Sequence, residues 1–201
     1  DQFTVRNLEL IRTLHPDGRA LVEVLDHCLT AMGARMLRRA ILLPLKDPNQ
    51  IQGRLDVVET YIRHALPLAR LEEQFGQMGE LERLASKVAT QRLSPREAAL
   101  LRDSFALIPH IQDTLRAFGT EALIQKAQSF EDVSPALEVL TSQLMDEIGG
   151  NLSDGNIIRD GVSEELDELR NIKQNSRDLL LAMQEREIQR TGITSLKIGF
   201  N

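Results

Sequence analysis

SEELDELRNIKQNSRDLLLAMQEREIQRTG, residues 163–192, decides the fold that the sequence predicts. Ser163 is a residue type that caps helices, and the acids that follow it would lie at the positive end of the helix dipole. Thr191-Gly192 has the composition of a helix end, with glycine just after the last turn. The stretch therefore predicts one helix from Ser163 to about Arg190, roughly 40 Å long at 1.5 Å per residue.

This predicted helix carries a sparse apolar stripe. The stripe consists of Leu166, Leu169, Ile172, Leu179, Leu180 and Met183, and it is interrupted by Lys173, Gln174 and Ser176. A helix of this length with so thin a stripe cannot be covered by its own core along its whole length. We expect it to protrude from a globular part and to pack against one or two other long helices.

The composition favours an aliphatic, helical core. The chain has 201 residues, of which 42% are apolar and only 3% aromatic. This length corresponds to one large domain or two small ones. Because Leu, Ala and Met suit helices better than sheets, we expect the globular part to be helical as well.

Helical spacing and capping residues recur through the upstream sequence. We predict helices near 19–43 (with a bend at the capping residue Thr30), 47–62, 68–90, 94–117, 120–128 and 133–147. Short apolar runs predict strands at 4–11 and 193–200, and Asp154-Gly155 predicts a small hairpin within 149–161. The predicted fold is mainly α: a helical core bundle with one long protruding helix, and a few short strands at the termini and near 150–160.

No catalytic motif is recognisable in the sequence. It contains no GxxxxGK[ST] phosphate loop, no Cys-x-x-Cys pair and no G-x-S-x-G elbow. The histidines at 15, 27, 64 and 110 are too scattered for a local metal motif, and we expect His27 to be a partly buried packing residue. The acids at 164–168 are better explained by helix electrostatics than by a catalytic pair.

Charge gives limited information on partners. The net charge of −6 weighs against a broad nucleic-acid-binding face, although not against a local basic patch. Arg35, Arg38 and Arg39 form such a cluster, which could contact phosphate or an acidic surface but is better explained as a solvated face paired with nearby acids. Lys197 on the predicted terminal strand could face either solvent or DNA. The single Cys28 fits a reducing compartment, and cytoplasmic is the default expectation.

Six stretches together resemble the MutS family of DNA mismatch-repair ATPases. They are TVRNLEL (4–10), LDHCLTAMGARMLRRAILLPL (25–45), DPNQIQGRLDVVE (47–59), GELERL (79–84), EELDELR (164–170) and RTGITSLKIGFN (190–201). They occur in the family's order and spread over nearly all of the chain. Two positions depart from the family pattern: Ala40 stands where Trp is frequent, and Val162 where an aromatic is common.

The resemblance implies a domain organisation. Residues 1–162 would be a MutS-like core domain, 163–191 an outgoing lever helix, and 192–201 the start of a clamp domain. The rest of the clamp, a returning helix and an ATPase domain would lie outside this sequence. The core and lever would then couple nucleotide state at one end to clamp closure on DNA at the other.

The same resemblance implies cofactors, partners and structural residues. The intact protein would bind ATP and Mg²⁺, mismatched double-stranded DNA, a second copy of itself and a MutL-type partner, whereas this part would be neither catalytic nor membrane-bound. Packing at the lever's base would involve Leu25, Met32, Met36, Leu55 and Leu84, together with the stripe at 166, 169 and 172. The alternative is a self-contained helical adaptor whose long helix docks into a partner.

Overall fold

The computed structural model describes residues 2–148 and 155–196, and the fold of these residues is mainly helical. The described part contains ten helices, namely α1 Gln2–Asn7, α2 Leu21–Leu25, α3 Ala31–Leu42, α4 Pro48–Arg63, α5 Ala65–Gln77, α6 Leu81–Ala89, α7 Pro95–Ala117, α8 Glu121–Gln128, α9 Ser134–Gln143 and α10 Glu164–Thr191. The mainly α fold predicted from the sequence is confirmed.

The starts of α3, α4 and α7 coincide with capping residues that the sequence indicates. The Thr30 hydroxyl accepts a hydrogen bond from the Gly33 amide at 3.0 Å, so 19–43 divides into α2 and α3. The Asp47 carboxylate accepts one from the Asn49 amide at 3.0 Å at the start of α4. Ser94 and Glu97 cap each other's backbone amides at the start of α7. These bonds satisfy amides that have no partner inside the helix.

Helix α7 is the centre of the core. It packs against α5, α6, α8 and α9, and its residues Ile111 and Leu115 are almost completely buried. The core cluster joins α5, α7 and α8 and consists of Leu71, Ile111, Leu115, Phe118, Leu123 and Ala127. Helix α4 lies against this cluster through Tyr61, whose ring meets that of Phe118 edge to face with centroids 5.1 Å apart. Burial raises the pKa of the Tyr61 hydroxyl.

The prediction of an N-terminal strand at 4–11 is wrong. Residues 2–7 form α1, and the chain then turns at Glu9, whose φ is 50°. The backbone carbonyls of Glu9 and Leu10 accept hydrogen bonds at 3.0 Å from the amides of Leu21 and Val22, the first two residues of α2. A run of four apolar residues is too short to distinguish a helical from an extended period.

The other predicted strands are largely absent from the described residues. Helix α9 ends at Gln143, before the predicted 147, because Leu144 forms an isolated antiparallel bridge with Ile158. This bridge is the only β pairing among residues 2–148 and 155–196. Residues 149–154 of the predicted hairpin lie outside the residues that the structure describes. Residues 193–196 form a turn rather than a strand, and 197–201 also lie outside the described part.

Candidate functional site at the base of helix α10

Helix α10 has the boundaries that its sequence predicts. The Ser163 hydroxyl accepts a hydrogen bond from the Leu166 amide at 3.3 Å, and Glu164, Glu165 and Asp167 occupy the first turn. The helix ends at Gly192, whose φ of 73° is a left-handed conformation that suits glycine. Its 28 residues span about 42 Å.

Helix α10 makes no extended packing contact with another helix in the part of the chain that the structure describes. Leu169 and Ile172 on its predicted apolar stripe are 57% and 65% exposed, and Leu181 and Met183 further along are also more than half exposed. Within the stripe, Leu169, Ile172 and Met183 are therefore uncovered, whereas Leu166 and Leu180 are partly buried. Polar contacts at the base of the helix attach it to the segment that precedes it.

Three arginines, Arg102, Arg159 and Arg170, make these polar contacts, and we call them the arginine junction. Arg170 lies on α10 and donates hydrogen bonds at 2.7 Å to the Ile158 carbonyl and to the Asp160 carboxylate. On the same helix, the Asp167 carboxylate accepts a hydrogen bond from the Gly161 amide at 2.7 Å. The first two turns of α10 are thereby tied to the segment 158–161.

Arg159 ties this segment to the end of α9. Its side chain donates hydrogen bonds to the carbonyls of Thr141 at 2.9 Å and Leu144 at 2.7 Å, and it also pairs with the Asp146 carboxylate. Its backbone amide donates to the Gln143 carbonyl at 2.9 Å, next to the isolated bridge. Arg159 thus contacts the segment 141–146 through both its backbone and its side chain.

Arg102 continues the junction into the central helix α7. Its guanidinium donates hydrogen bonds to the carbonyls of Met145 at 2.7 Å and Asp146 at 2.8 Å, and its Nε donates to the Asp103 carboxylate at 2.9 Å. The Arg102 side chain is only 10% exposed. Hydrogen bonds from a charged, buried donor are among the stronger ones in proteins. A continuous set of contacts therefore runs from α7 through 141–146 and 158–161 to α10.

An open cleft of about 540 Å³ lies beside the junction, lined by Met145, Gly155, Asn156, Ile158, Asp160, Leu166, Leu169, Arg170 and Lys173. Leu166 and Met145 face the same cleft from α10 and from the core side. Charged hydrogen bonds thus fix the arginine junction, and the largely apolar cleft beside it is not filled by side chains. Such an arrangement fixes the position of the helix base with little of the close packing found in a core.

A second set of charged contacts lies on the N-terminal side of the core. Arg35 on α3 donates hydrogen bonds to Glu80 at 2.8 Å and to Glu82 at 2.6 Å, and these bonds raise the pKa of Arg35. Next to Glu80, the Gly79 amide donates to the buried Ser104 hydroxyl at 2.9 Å. The loop before α6 is thereby fixed to both α3 and α7.

The predicted base-packing residues fall into two groups. Leu84 is buried, with 3% of its surface exposed, as predicted. Leu25, Met36 and Leu55 are about half or more exposed, so their prediction as packed residues is wrong within the described structure. Met32 is partly buried. Helical periodicity identifies an apolar face, but it does not tell whether this part of the chain covers that face.

The candidate ligand residues are mostly surface residues. Arg35 is paired with acids, whereas Arg38 and Arg39 are exposed, so a phosphate contact by those two residues stays a prediction. His27 is exposed, contrary to the prediction that it is partly buried. No group of three or more His, Cys, Asp or Glu residues suited to a metal occurs among the residues described. Lys197 lies outside them.

Comparison with known proteins identifies the family. The model of MutS domain III matches residues 3–194. The chain belongs to the MutS family. The DNA mismatch repair protein MutS of Cytophaga hutchinsonii is 41% identical over the whole chain, which covers 24% of that relative. The MutS proteins of Parabacteroides distasonis and Porphyromonas gingivalis are 41% and 38% identical over the whole chain, which covers 23% of each. The chain therefore spans about a quarter of the length of these curated relatives.

The MutS-like stretches of the sequence meet one another in the fold. Arg35 of the 25–45 stretch pairs with Glu80 and Glu82 of the 79–84 stretch, and Arg170 of the 164–170 stretch belongs to the arginine junction. These residues position helices, and sequence reasoning missed this role because their partners are distant in the chain. In the described structure, no helix is long and apolar enough to cross a membrane.

Proposed function

We propose that this chain is the core and lever of a MutS-type mismatch repair protein. Residues 1–162 would form the core, 163–191 the lever helix and 192–201 the start of the clamp. The match to MutS domain III over 3–194 supports a place within a MutS-type protein, and the relatives, about four times as long as the chain, leave room for further domains. The lever would transmit movement between an ATPase domain and a DNA-binding clamp elsewhere in the polypeptide.

The observation that carries this proposal is the attachment of α10. Its 28 residues lie free of extended packing along the described structure, while the arginine junction fixes its base through charged hydrogen bonds. A rotation of about 5° at the base of a 42 Å helix displaces its tip by roughly 4 Å. A helix that is held at one end and rigid along its length therefore converts a small change in the core into a larger movement at the clamp.

The proposal assigns cofactors and partners to the longer protein. ATP and Mg²⁺ would bind its ATPase domain, and mismatched double-stranded DNA would be held by its clamp and mismatch-reading domains. A second copy and a MutL-type protein would be its protein partners. Lys197, at the start of the clamp, is the residue of this chain that we propose to face DNA. The names of the relatives, which are DNA mismatch repair proteins, support this assignment.

Replacement of Arg170 by lysine in the full-length protein tests the proposal. Lysine keeps the charge but has one nitrogen, whereas Arg170 uses two separate nitrogens of its planar guanidinium, one for the Ile158 carbonyl and one for Asp160. We expect basal ATP hydrolysis and DNA affinity to stay within twofold, because neither site is touched. Stimulation of hydrolysis by mismatched DNA should fall at least about fivefold, which corresponds to roughly 1 kcal/mol of lost coupling.

Arg190→Lys is the matched control for this experiment. Arg190 lies at the other end of α10, is largely exposed and, among the described residues, pairs only with Glu187 of the same helix. We expect this variant to keep the mismatch stimulation of the wild-type protein. Equal stimulation in Arg170→Lys, Arg190→Lys and wild type would show that the base of α10 carries no coupling.

A second function is a self-contained helical adaptor, which is favoured by the exposed apolar residues on α10. It predicts that the native coding region stops soon after the codon for Asn201. The core-and-lever function predicts that the coding region continues through a second long helix into a GxxxxGK[ST] loop. Sequencing the native coding region past this codon distinguishes the two functions.

A further inference from the structure

Helix α7, the central helix of the core, contains a proline in its interior. Pro109 has no backbone amide, so the carbonyl of Phe105, four residues earlier, receives no hydrogen bond from that position. The proline ring also pushes against this carbonyl, which bends a helix and makes proline the least favourable residue of a helix interior. The segment 105–109, which we call the α7 joint, is therefore the place in the interior of α7 where the helix bends most easily.

Two hydroxyl side chains, one on each side of the α7 joint, add to this tendency. The Ser104 hydroxyl donates a hydrogen bond at 2.6 Å to the Leu100 carbonyl, and the Thr114 hydroxyl donates one at 2.9 Å to the His110 carbonyl. Serine and threonine that bond back to the preceding turn in this way often bend a helix. Three features that favour bending thus follow one another along α7, at positions 104, 109 and 114.

The part of α7 before the α7 joint belongs to the arginine junction and to the loop before α6. Arg102 donates hydrogen bonds to the backbone carbonyls of residues 145–146 in the junction. The Ser104 hydroxyl is completely buried and accepts a hydrogen bond at 2.9 Å from the Gly79 amide of that loop. A movement of this part of α7 would therefore be passed to the junction.

The part of α7 after the α7 joint belongs to the core cluster and to the helices around it. Ile111 is a member of the cluster and is only 1% exposed. Gln112 donates a hydrogen bond at 3.0 Å to the Ala127 carbonyl of α8. Gln74 of α5 donates one at 3.0 Å to the Thr114 hydroxyl. The α7 joint thus separates a part that is fixed to α5 and α8 from a part that is fixed to the arginine junction.

The outer side of the α7 joint is exposed. Ala106, Pro109 and His110 face solvent, whereas Leu107 and Ile108 are partly or fully buried. A proline on the solvent side also occurs where a helix simply curves around its core. Curvature alone would not require the packing partners of α7 to change at the same point. A bend that opens the exposed side keeps the inner contacts of the described residues as its pivot.

We propose that α7 bends at the α7 joint and that this bending moves the arginine junction relative to the core cluster. Arg102 lies about 10 Å along the helix from Pro109, so a bend of about 5° shifts it by roughly 1 Å and rotates the junction by the same angle. This is the rotation that a displacement of about 4 Å at the tip of α10 requires. The inference rests on the proposed function and deepens it, because it names the place in the core from which movement reaches the lever helix.

Two substitutions of Pro109 in the full-length protein test the proposal. Pro109→Ala supplies the missing amide and a residue that favours helix, whereas Pro109→Gly supplies the amide but keeps conformational freedom. We expect stimulation of ATP hydrolysis by mismatched DNA to fall at least about threefold in Pro109→Ala and to stay within about twofold of wild type in Pro109→Gly. The unfolding temperature of Pro109→Ala should equal or exceed that of wild type, so that lost stimulation is not caused by unfolding.

Gly53→Ala is the matched control for Pro109→Ala. Gly53 is an exposed residue inside α4 with open space around it, so this substitution also raises helix propensity but does so outside α7. We expect it to keep the stimulation of wild type. Equal stimulation in Pro109→Ala, Gly53→Ala and wild type would show that Pro109 only curves α7, and it would overturn the proposal. An equal loss in Pro109→Ala and Pro109→Gly would also overturn it, because a fixed angle rather than bending would then matter.

A distance across the α7 joint measures the bending itself. Spin labels are placed at Glu121→Cys on α8 and Gln189→Cys near the end of α10, both exposed, with other cysteines replaced. We expect the difference in distance between the ADP and ATP states to fall by at least about half in Pro109→Ala and to be kept in Pro109→Gly. An undiminished difference in Pro109→Ala would reject the bending.

The Arg170→Lys experiment separates this inference from the proposed function. Uncoupling by Arg170→Lys together with unaffected coupling in Pro109→Ala would reject bending at the α7 joint and retain the lever. Uncoupling by Pro109→Ala together with unaffected coupling in Arg170→Lys would support the bending and reject the attachment of α10 as the route to the clamp.

Discussion

Replacement of Arg102 by methionine should destabilise the chain far more than the loss of a surface arginine. Arg102 lies on the central helix α7, and its guanidinium donates hydrogen bonds to the carbonyls of Met145 and Asp146 at 2.7 and 2.8 Å. Methionine has a similar length and can fill the same space, but it donates no hydrogen bond. The substitution therefore removes the donor from two carbonyls without creating a large cavity.

The structure gives the expected magnitude. A hydrogen bond from a charged donor contributes about 1.5–3 kcal/mol, and the Arg102 side chain is only 10% exposed, so water replaces the lost bonds poorly. Because part of the loss is offset by burial of the methionine, we expect the free energy of unfolding to fall by about 3 kcal/mol. For a chain of this size, this change lowers the unfolding temperature by about 6–12 °C.

Urea denaturation followed by circular dichroism measures this loss. Arg116→Met is the control, because Arg116 is exposed and its one ion pair within residues 2–148 and 155–196 is with Asp113 in the same helix. This control should cost less than about 1 kcal/mol. Arg102→Lys keeps a charged donor group but loses the planar fork that reaches both carbonyls, and it should lose about half as much stability as Arg102→Met. A free energy of unfolding for Arg102→Met within about 1 kcal/mol of wild type would refute the view that the arginine junction holds this part of the fold.

Three further predictions concern the core and the helix caps. Gly79→Ala should destabilise the chain by about 1–3 kcal/mol in urea denaturation, because a Cβ there would lie 2.7 Å from Leu100 Cγ. Gly76→Ala, which has open space in helix α5, should instead stabilise the chain by about 0.5–1 kcal/mol, and an unchanged stability of Gly79→Ala would contradict this reasoning. In the same assay, Phe118→Ala should lower the free energy of unfolding by about 3–5 kcal/mol, because Phe118 is buried, whereas Phe3→Ala at an exposed position should lower it by less than about 0.5 kcal/mol. Similar losses for the two variants would contradict the assigned core. The Lys87 ammonium and the Ser94 backbone amide lower the pKa of Glu97 from 4.5 to about 2. The unfolding temperature of wild type should therefore exceed that of Glu97→Gln by a full difference above pH 4.5, and this difference should disappear as the pH falls toward 2. A difference that does not change with pH would contradict this prediction.

Most helices were predictable from the sequence because their signals are local, although the predicted helix at 68–90 is divided into α5 and α6 in the structure. Asp47, Ser94, Ser163 and Gly192 each mark a helix end through contacts with residues at most four positions away. The segment 4–11 was predicted wrongly, because its few apolar residues do not distinguish a helical from an extended period, and residues 2–7 are helical. Local patterns therefore determine most of this fold.

The candidate site was not predictable from the sequence, because its contacts are long-range. Arg102 and Met145 are 43 positions apart, and Arg35 and Glu80 are 45 apart, so no short motif contains both partners. The exposure of Leu25, Met36 and Leu55 has a related cause. Their spacing shows that they form apolar faces, but the identity of what covers those faces depends on other parts of the structure.

The central claim is that α10 moves as a rigid lever about the arginine junction. Its most direct test is the distance between spin labels at Glu121→Cys on α8 and Gln189→Cys near the tip of α10, both exposed, in the full-length protein with other cysteines replaced. The account predicts one narrow distance distribution in each nucleotide state, with the two differing by about 4 Å or more, and a smaller difference in Arg170→Lys. Identical distributions with ADP and with ATP would contradict it.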